Sequence, residues 1–259
     1  ISIEIVVVPF GYTFKFPEKL INLKVKYINP ECLETSLPIG SLEALDIFFF
    51  YSWSWKIPTP ILEKTTCMCL HPSDLPQFKG GTPIQNQISA GLAESKVSIF
   101  KMVAEMDSGP LYSQDPITLL GPIEDLFRNM SAIGKFRTQN LIADLIFGNI
   151  TFKPQKPGGN YHSRRSSAMS YFLKEQIINM DFEEFEAKVN MLTEPYGNLK
   201  TYVNGNIFCI ERAFKFPKSK SVICNEPDNR TLKNRAILWL ECKDCFSKCV
   251  GYFQHTKSN

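Results

Sequence analysis

The chain has 259 residues, 44% apolar and 21% charged, which is ordinary globular usage and excludes intrinsic disorder and a collagen-like or disulfide mini-protein. Lys and Arg number 29 against 26 Asp and Glu, and a net charge of +3 is too small to announce a nucleic-acid or membrane-surface protein. Eight cysteines spread over a chain this large are read as reduced thiols, which points to the cytoplasm.

The first ten residues are apolar but carry Glu4, with no basic start or cleavage site, so no secretory leader is expected. The longest apolar run, 47–55, is well short of the roughly 20 residues that span a bilayer. The chain opens on Ile1 rather than Met and is read as a fragment, its first βα unit missing or shortened.

Ile3, Ile5, Val6, Val7 and Val8, closed by Pro9 and Gly11, read as a buried strand, with a weak one at 24–28. The run Asp46-Ile47-Phe48-Phe49-Phe50-Tyr51 has the pattern of a parallel strand covered on both faces. A strand at 65–71 precedes a Pro, Ser and Gly-rich loop, and Pro83 opens a helix that ends near Gly91. Strands are expected at 97–103 and at 117–120, the latter opened by Pro116. Helical spacing of Ile123, Leu126, Phe127, Met130, Ile133, Leu141, Ile142, Leu145 and Ile146 follows.

Strands alternating with helices argue an α/β fold with a mostly parallel sheet. After a Pro/Gly/Ser-rich stretch, Phe182, Phe185, Val189 and Leu192 make an amphipathic helix, and Asn204-Gly205 between apolar runs marks a hairpin. The expected organisation is 1–152 as the catalytic domain, 153–180 as a connector and 181–259 as a small β-rich C-terminal subdomain and tail.

The stretch that stands apart is Cys69-Leu70-His71-Pro72-Ser73-Asp74-Leu75-Pro76-Gln77-Phe78-Lys79-Gly80-Gly81-Thr82-Pro83-Ile84. A histidine at the C-terminal end of an inner strand projects into the crevice where open α/β sheets bind ligands. Further on, Met102-Val103-Ala104-Glu105-Met106-Asp107-Ser108-Gly109-Pro110 places a carboxylate just past another strand, and two neighbouring strand ends are expected to bring His71 and Asp107 together.

These two motifs resemble the signature of the folate-dependent formyltransferases: Asn-x-His-x-Ser-Leu-Leu-Pro-x-x-x-Gly, then Asp-x-Gly at this spacing. The similarity runs from about 46 to 119, and more weakly at Leu192-Thr193-Glu194-Pro195-Tyr196-Gly197-Asn198. The resemblance implies a Rossmann-like domain that moves a formyl group from 10-formyltetrahydrofolate to an amine. It assigns His71 to stabilise the oxyanion or shuttle the proton, and Asp107 to orient it and relay the proton.

The family's asparagine is Cys69 here, a weaker donor than an amide. That departure leaves three readings: reduced activity, another donor in its place, or a formyltransferase-like binding protein. A nucleophilic Cys69 would need a lowered pKa, and a small buried strand residue is the plainer reading. By the same resemblance the pterin lies along Trp53, Trp55, Ile57, Leu75, Gly80 and the backbone of Met102, Val103, Ala104, Glu105 and Met106.

The short C-terminal part and near-neutral charge favour a small, nucleotide-linked amino sugar as acceptor, since tRNA binding needs many phosphate contacts. A methionyl-tRNA formyltransferase-like enzyme and a hydrolase of the same donor are the alternatives. Arg164 and Arg165 are read as a solvated basic pair or a phosphate grip. Cys242, Cys245 and Cys249, with His255 beyond, do not match a familiar zinc module, and no metal is expected.

Overall fold

The computed structural model describes residues 3–7, 47–51, 53, 56–193, 196–218, 228–232 and 235–254. The weak strand expected at 24–28, together with Trp55, Cys32, Cys224 and His255, lies outside them. The chain forms two compact units. The first ends at Arg164 and the second begins at Arg165, taking in the short segments 88–91 and 120–123.

The first unit is built on a five-stranded sheet in the order β1-β2-β3-β5-β6: β1 (Ile3–Val7), β2 (Ile47–Tyr51), β3 (Thr66–His71), β5 (Glu94–Lys101) and β6 (Leu111–Thr118). Strands β1, β2 and β3 run parallel, whereas β3–β5 and β5–β6 pair antiparallel, so the sheet is mixed. No residue of β2 is more than 2% exposed, which is the double coverage its unbroken apolar run implies. Phe48 and Phe50 join Ile57, Ile61, Cys67, Cys69, Leu75 and Phe100 in one core cluster.

Helix α1 (Thr59–Lys64), absent from the sequence reading, carries Pro60 in its first turn, where a missing N–H is no loss. Helix α2 spans Pro83–Ser89, and α3 (Ile123–Ile146) is a single helix of 24 residues. Arg137 on α3 donates from Nε to both carboxylate oxygens of Asp115 on β6, at 2.9 and 2.8 Å, and Tyr112 donates to Asp144 at 2.6 Å. Strand β6 starts six residues earlier than its apolar end suggests, and Pro116 sits inside it. That is tolerated because β6 is the sheet edge, where no further strand needs the absent N–H. A two-stranded parallel ladder, β4 (Lys79–Gly80) with β7 (Tyr161–His162), completes this unit.

The second unit holds the short helix α4 (Lys174–Ile177), α5 (Phe182–Met191) and an antiparallel sheet. Its strands are β8 (Leu199–Val203), β9 (Asn206–Phe216), β10 (Asp228–Leu232), β11 (Arg235–Glu241) and β12 (Phe246–Phe253), in the order β10-β11-β12-β9-β8. Asp181 caps α5 by accepting from Glu184 N at 2.8 Å. The Asn204-Gly205 turn has both residues at positive φ, 48° and 78°, and closes the β8–β9 hairpin with Val203 opposite Asn206. Among the described residues no helix is long and apolar enough to cross a membrane.

Candidate active site

Strand β3 ends at His71, and the chain turns at once: Ser73 N donates to His71 O and Leu75 N to Ser73 O, each at 3.0 Å. The sheet itself holds this loop. Ser98, fully buried and opposite His71 in the β3–β5 register, donates to Ser73 O at 2.6 Å and accepts from Leu75 N at 3.4 Å. Gln114 on β6 donates to Asp74 Oδ1, Leu75 O and Ser98 Oγ, each at 3.0 Å. Asp74, which the resemblance expects to be Leu, is thus turned to use as an anchor, with Lys96 Nζ 3.1 Å from its other oxygen.

His71 is 6% exposed, and its Nε2 lies 2.9 Å from Phe78 O. A carbonyl oxygen only accepts, so Nε2 carries the proton of the neutral ring. A second proton therefore enters at Nδ1, and Nδ1 is 3.7 Å from Asp107 Oδ2, within ion-pair reach though longer than a hydrogen bond.

Asp107 arrives by a different route from the one expected. Because β5 runs antiparallel, its end at Lys101 lies beside Met68, not beside His71, so the two side chains are not neighbours at a common sheet edge. Met102 N donates to Cys67 O at 2.7 Å, and the chain then doubles back through exposed Val103, Ala104, Glu105 and Met106. Asp107 itself has φ of 51°, a conformation that Asp tolerates better than most residues. Behind it, a Cβ on Gly109 would stand 1.6 Å from Lys101 O, so only glycine lets the turn close onto β5.

Three groups outside the sheet hold this turn through four hydrogen bonds. Gly80 N donates to Asp107 Oδ2 at 2.7 Å, a bond that uses the positive φ of Gly80, 94°. Lys79 Nζ donates to Ser108 Oγ at 2.8 Å, and Gln155 Nε2 donates to the carbonyl oxygens of Asp107 and Gly109, both at 2.8 Å. Among the described residues Asp107 Oδ1 carries no hydrogen bond. The segment after 152 also braces the histidine loop. Asn160 accepts from Phe78 N through its side chain and from Lys79 N through its carbonyl, and the His162 ring stacks on Phe78 with centroids 4.8 Å apart.

Cys69 sits one residue pair below His71 on the same face of β3, 7% exposed, with Sγ 3.6 Å from Leu70 O. Burial first, then the Asp107 carboxylate and Cys67, push its thiol well above the ordinary range. A neutral, buried thiol of this kind is neither a ready nucleophile nor a strong donor.

The other residues singled out in the sequence divide into three groups. Ile57 and Leu75 are core, at 2% exposure each, in the cluster that contains Cys69, and half-buried Trp53 and Met102 pack against that cluster. Val103 to Met106 form the exposed turn leading to Asp107, and Gly80 touches Asp107 directly. Arg165 is engaged by Ser89 Oγ and Met169 O, and Arg164 is exposed. Cys242, Cys245 and Cys249 are buried on the β11–β12 hairpin, and among the described residues no group of three or more His, Cys, Asp or Glu could hold a metal. Sequence reasoning missed Gln155, Asn160 and His162, since their contacts are with residues far away along the chain.

Residues 43–143 match the family model described as Formyl transferase. A methionyl-tRNA formyltransferase of Listeria monocytogenes is 31% identical over 143 residues, 53% of this chain and 46% of the relative. The chain thus spans about half the length of the curated relatives it matches. Among solved structures, methionyl-tRNA formyltransferase from Clostridium thermocellum superposes with a TM-score of 0.68 at 22% identity, over 83% of this chain and 94% of that one. The N-formyltransferase from Helicobacter canadensis, in complex with folinic acid and dTDP-3-aminofucose, gives 0.60 at 16% identity, over 83% and 78%. These likenesses are of fold. His71 and Asp107 both lie within the stretch that matches the Formyl transferase family model.

Proposed function

We propose that the protein transfers a formyl group from 10-formyltetrahydrofolate to a primary amine, with His71 and Asp107 as the catalytic residues. The observation that carries this reading is the approach of His71 Nδ1 to Asp107 Oδ2, 3.7 Å, inside a formyl transferase domain. The donor would supply an electrophilic formyl carbon; attack by an amine puts negative charge on the formyl oxygen and leaves a proton to be removed from the amine. Collapse breaks the bond between the formyl carbon and the folate nitrogen, which takes a proton as tetrahydrofolate departs.

This chain's residues suit those two demands. Asp107 Oδ2 is committed to Gly80 N and faces His71, which leaves Oδ1 to take the amine proton. With Nε2 held on Phe78 O, the His71 ring presents Nδ1 beside Asp107 Oδ2, the atom left to exchange a proton with the reacting groups. The apolar border of Trp53 and Met102 and the exposed backbone of Val103 to Met106 would hold the flat donor ring, with Ile57, Leu75 and Cys69 beneath as packing. Cys69 then serves as floor, and the oxyanion depends on His71 and backbone donors.

For the acceptor, the small excess of basic residues favours a nucleotide-linked amino sugar, and the Helicobacter canadensis enzyme of similar fold is described with dTDP-3-aminofucose. The second reading, methionyl-tRNA, draws on the 31% identical Listeria relative. Absorbance-monitored conversion of 10-formyltetrahydrofolate to tetrahydrofolate, with a panel of nucleotide-linked amino sugars and with methionyl-tRNA, separates the two. His71→Ala and Asp107→Ala are each expected to lower turnover by about 10²–10⁴-fold. Equal turnover in all three proteins removes the catalytic assignment, and formate release without any amine indicates hydrolysis.

A further inference from the structure

We propose that Gln155 is a positioning residue of the site, whose side-chain amide sets the Asp107 carboxylate through the main chain of the turn that carries it. The inference rests on the reading of Asp107 as the proton acceptor and adds a residue from beyond the family-matched segment, which ends at 143. Lys153 and Leu111 form an antiparallel bridge with both bonds made, Lys153 N to Leu111 O at 2.8 Å and Leu111 N to Lys153 O at 2.7 Å. Continuing that register by two residues sets 155 across from 109. Pro154 and Pro157 flank Gln155 and restrict the backbone around it, which lowers the entropy of holding it there.

The amide then spends both N–H donors on the turn, on Asp107 O and Gly109 O at 2.8 Å each. Both partners are carbonyl oxygens, which fixes the orientation: the NH₂ must face the turn and the oxygen must face away. Gln155 Oε1 is buried and has no hydrogen-bond partner, a cost the site bears for the two bonds on the other side. The turn needs such a tie. Asp107 is a non-glycine residue at positive φ, and the four residues before it are exposed, so the backbone that carries its largely buried carboxylate has little packing of its own. Among the described residues the other ties on 107 and 109 are the approach of His71 and the Gly80 N bond, which the carboxylate must already be in place to make, and the close approach of Gly109 to Lys101 O.

Two substitutions in the full chain separate a donor from a filler. Gln155→Leu removes both bonds and keeps most of the volume. Gln155→Glu keeps the shape but turns a carboxylate toward two carbonyl oxygens. Both variants are expected to lose about 10–100-fold in turnover with the KM for 10-formyltetrahydrofolate unchanged, the cost of a misplaced catalytic group. In an Asp107→Asn background Gln155→Leu should cost nothing further, because the two residues act as one unit.

A readout independent of turnover is amide hydrogen exchange at Gly80, whose N–H is covered by Asp107 Oδ2. Gly80 should lose protection in Gln155→Leu, while Lys79 and Gly81, bonded to Asn160 O and His162 O at 3.0 and 2.9 Å, keep theirs and report that the ladder is folded. Unchanged protection at Gly80, wild-type turnover in Gln155→Glu, or multiplicative losses with Asp107→Asn would overturn the assignment. If the wild-type chain turns over no donor with any amine, the proposed function fails, and the Gly80 exchange alone decides the role of Gln155.

Discussion

The loop after β3 and the turn after β5 each deliver one side chain to the same place, yet they are held in opposite ways. Ser98 and Gln114, side chains of the sheet, grip the histidine loop at Ser73, Asp74 and Leu75. The aspartate turn is gripped from outside, by Gly80 N, Lys79 Nζ and Gln155. Histidine geometry is therefore tied chiefly to the stability of the sheet, whereas aspartate geometry is tied to groups outside it, on β4 and at Gln155. Damage on the first side should cost stability and turnover together. Loss of a side-chain tie on the second side should cost turnover almost alone, as the Gln155 variants test.

The catalytic substitutions His71→Ala and Asp107→Ala carry the largest expected effect and do not separate the two sides. Gly109→Ala comes next. The added methyl would overlap Lys101 O, a backbone atom that cannot swing away, so the turn must shift and take Asp107 with it. Turnover should fall by about 10²-fold or more. The urea midpoint should drop by an amount equivalent to about 1–3 kcal/mol, because the strain falls on β5 as well. A variant that unfolds without changing residual turnover per folded molecule would break the link between this glycine and the carboxylate.

Ser98→Ala probes the other side. It strips an acceptor from Leu75 N, a donor from Ser73 O and one partner from Gln114, all within a fully buried position. Leaving such groups unpaired costs about 1–3 kcal/mol, and turnover should fall in parallel because the same atoms place His71. Chemical denaturation with an unchanged m-value, measured beside the turnover assay, reads both quantities. Full stability with lost turnover would mean that the two loops are held alike after all.

The same contrast decides what could be read from the sequence. The histidine loop was legible because its residues are consecutive, and β2 because five successive apolar residues need cover on both faces. The direction of β5 was not legible, since an alternating strand looks the same whichever way it runs, and the route to Asp107 was misplaced with it. Strand β6 was half seen: Tyr112, Gln114 and Asp115 are polar because they bond Asp144, the histidine loop and Arg137, and Pro116 reads as a strand opener unless the strand is known to be an edge. Helix α1 hid behind Pro58 and Pro60, which serve as its entry rather than its interruption. Gln155 left no local trace. A side chain that bonds two carbonyls nearly fifty residues away imposes no periodicity on its neighbours.

The cysteines give the smallest expected effect and a check on the floor of the site. Burial holds Cys67 up to about 12 and Cys69 well above the ordinary thiol range, and in the second unit Cys242 and Cys249 are pushed up to about 12 by the same cause. A thiol whose pKa is raised on folding stabilises the folded chain fully below its unfolded value, and that stabilisation is lost as the pH climbs toward the folded value. The urea midpoint should therefore fall steadily above about pH 9, where unfolded thiols ionise and folded ones do not. Below that pH, iodoacetamide should leave Cys69 of the native chain unlabelled and turnover intact, with labelling appearing only in urea. Native labelling of Cys69 with loss of turnover would instead place its sulfur at the reacting centre, and would undo its reading as packing beneath His71 and Asp107.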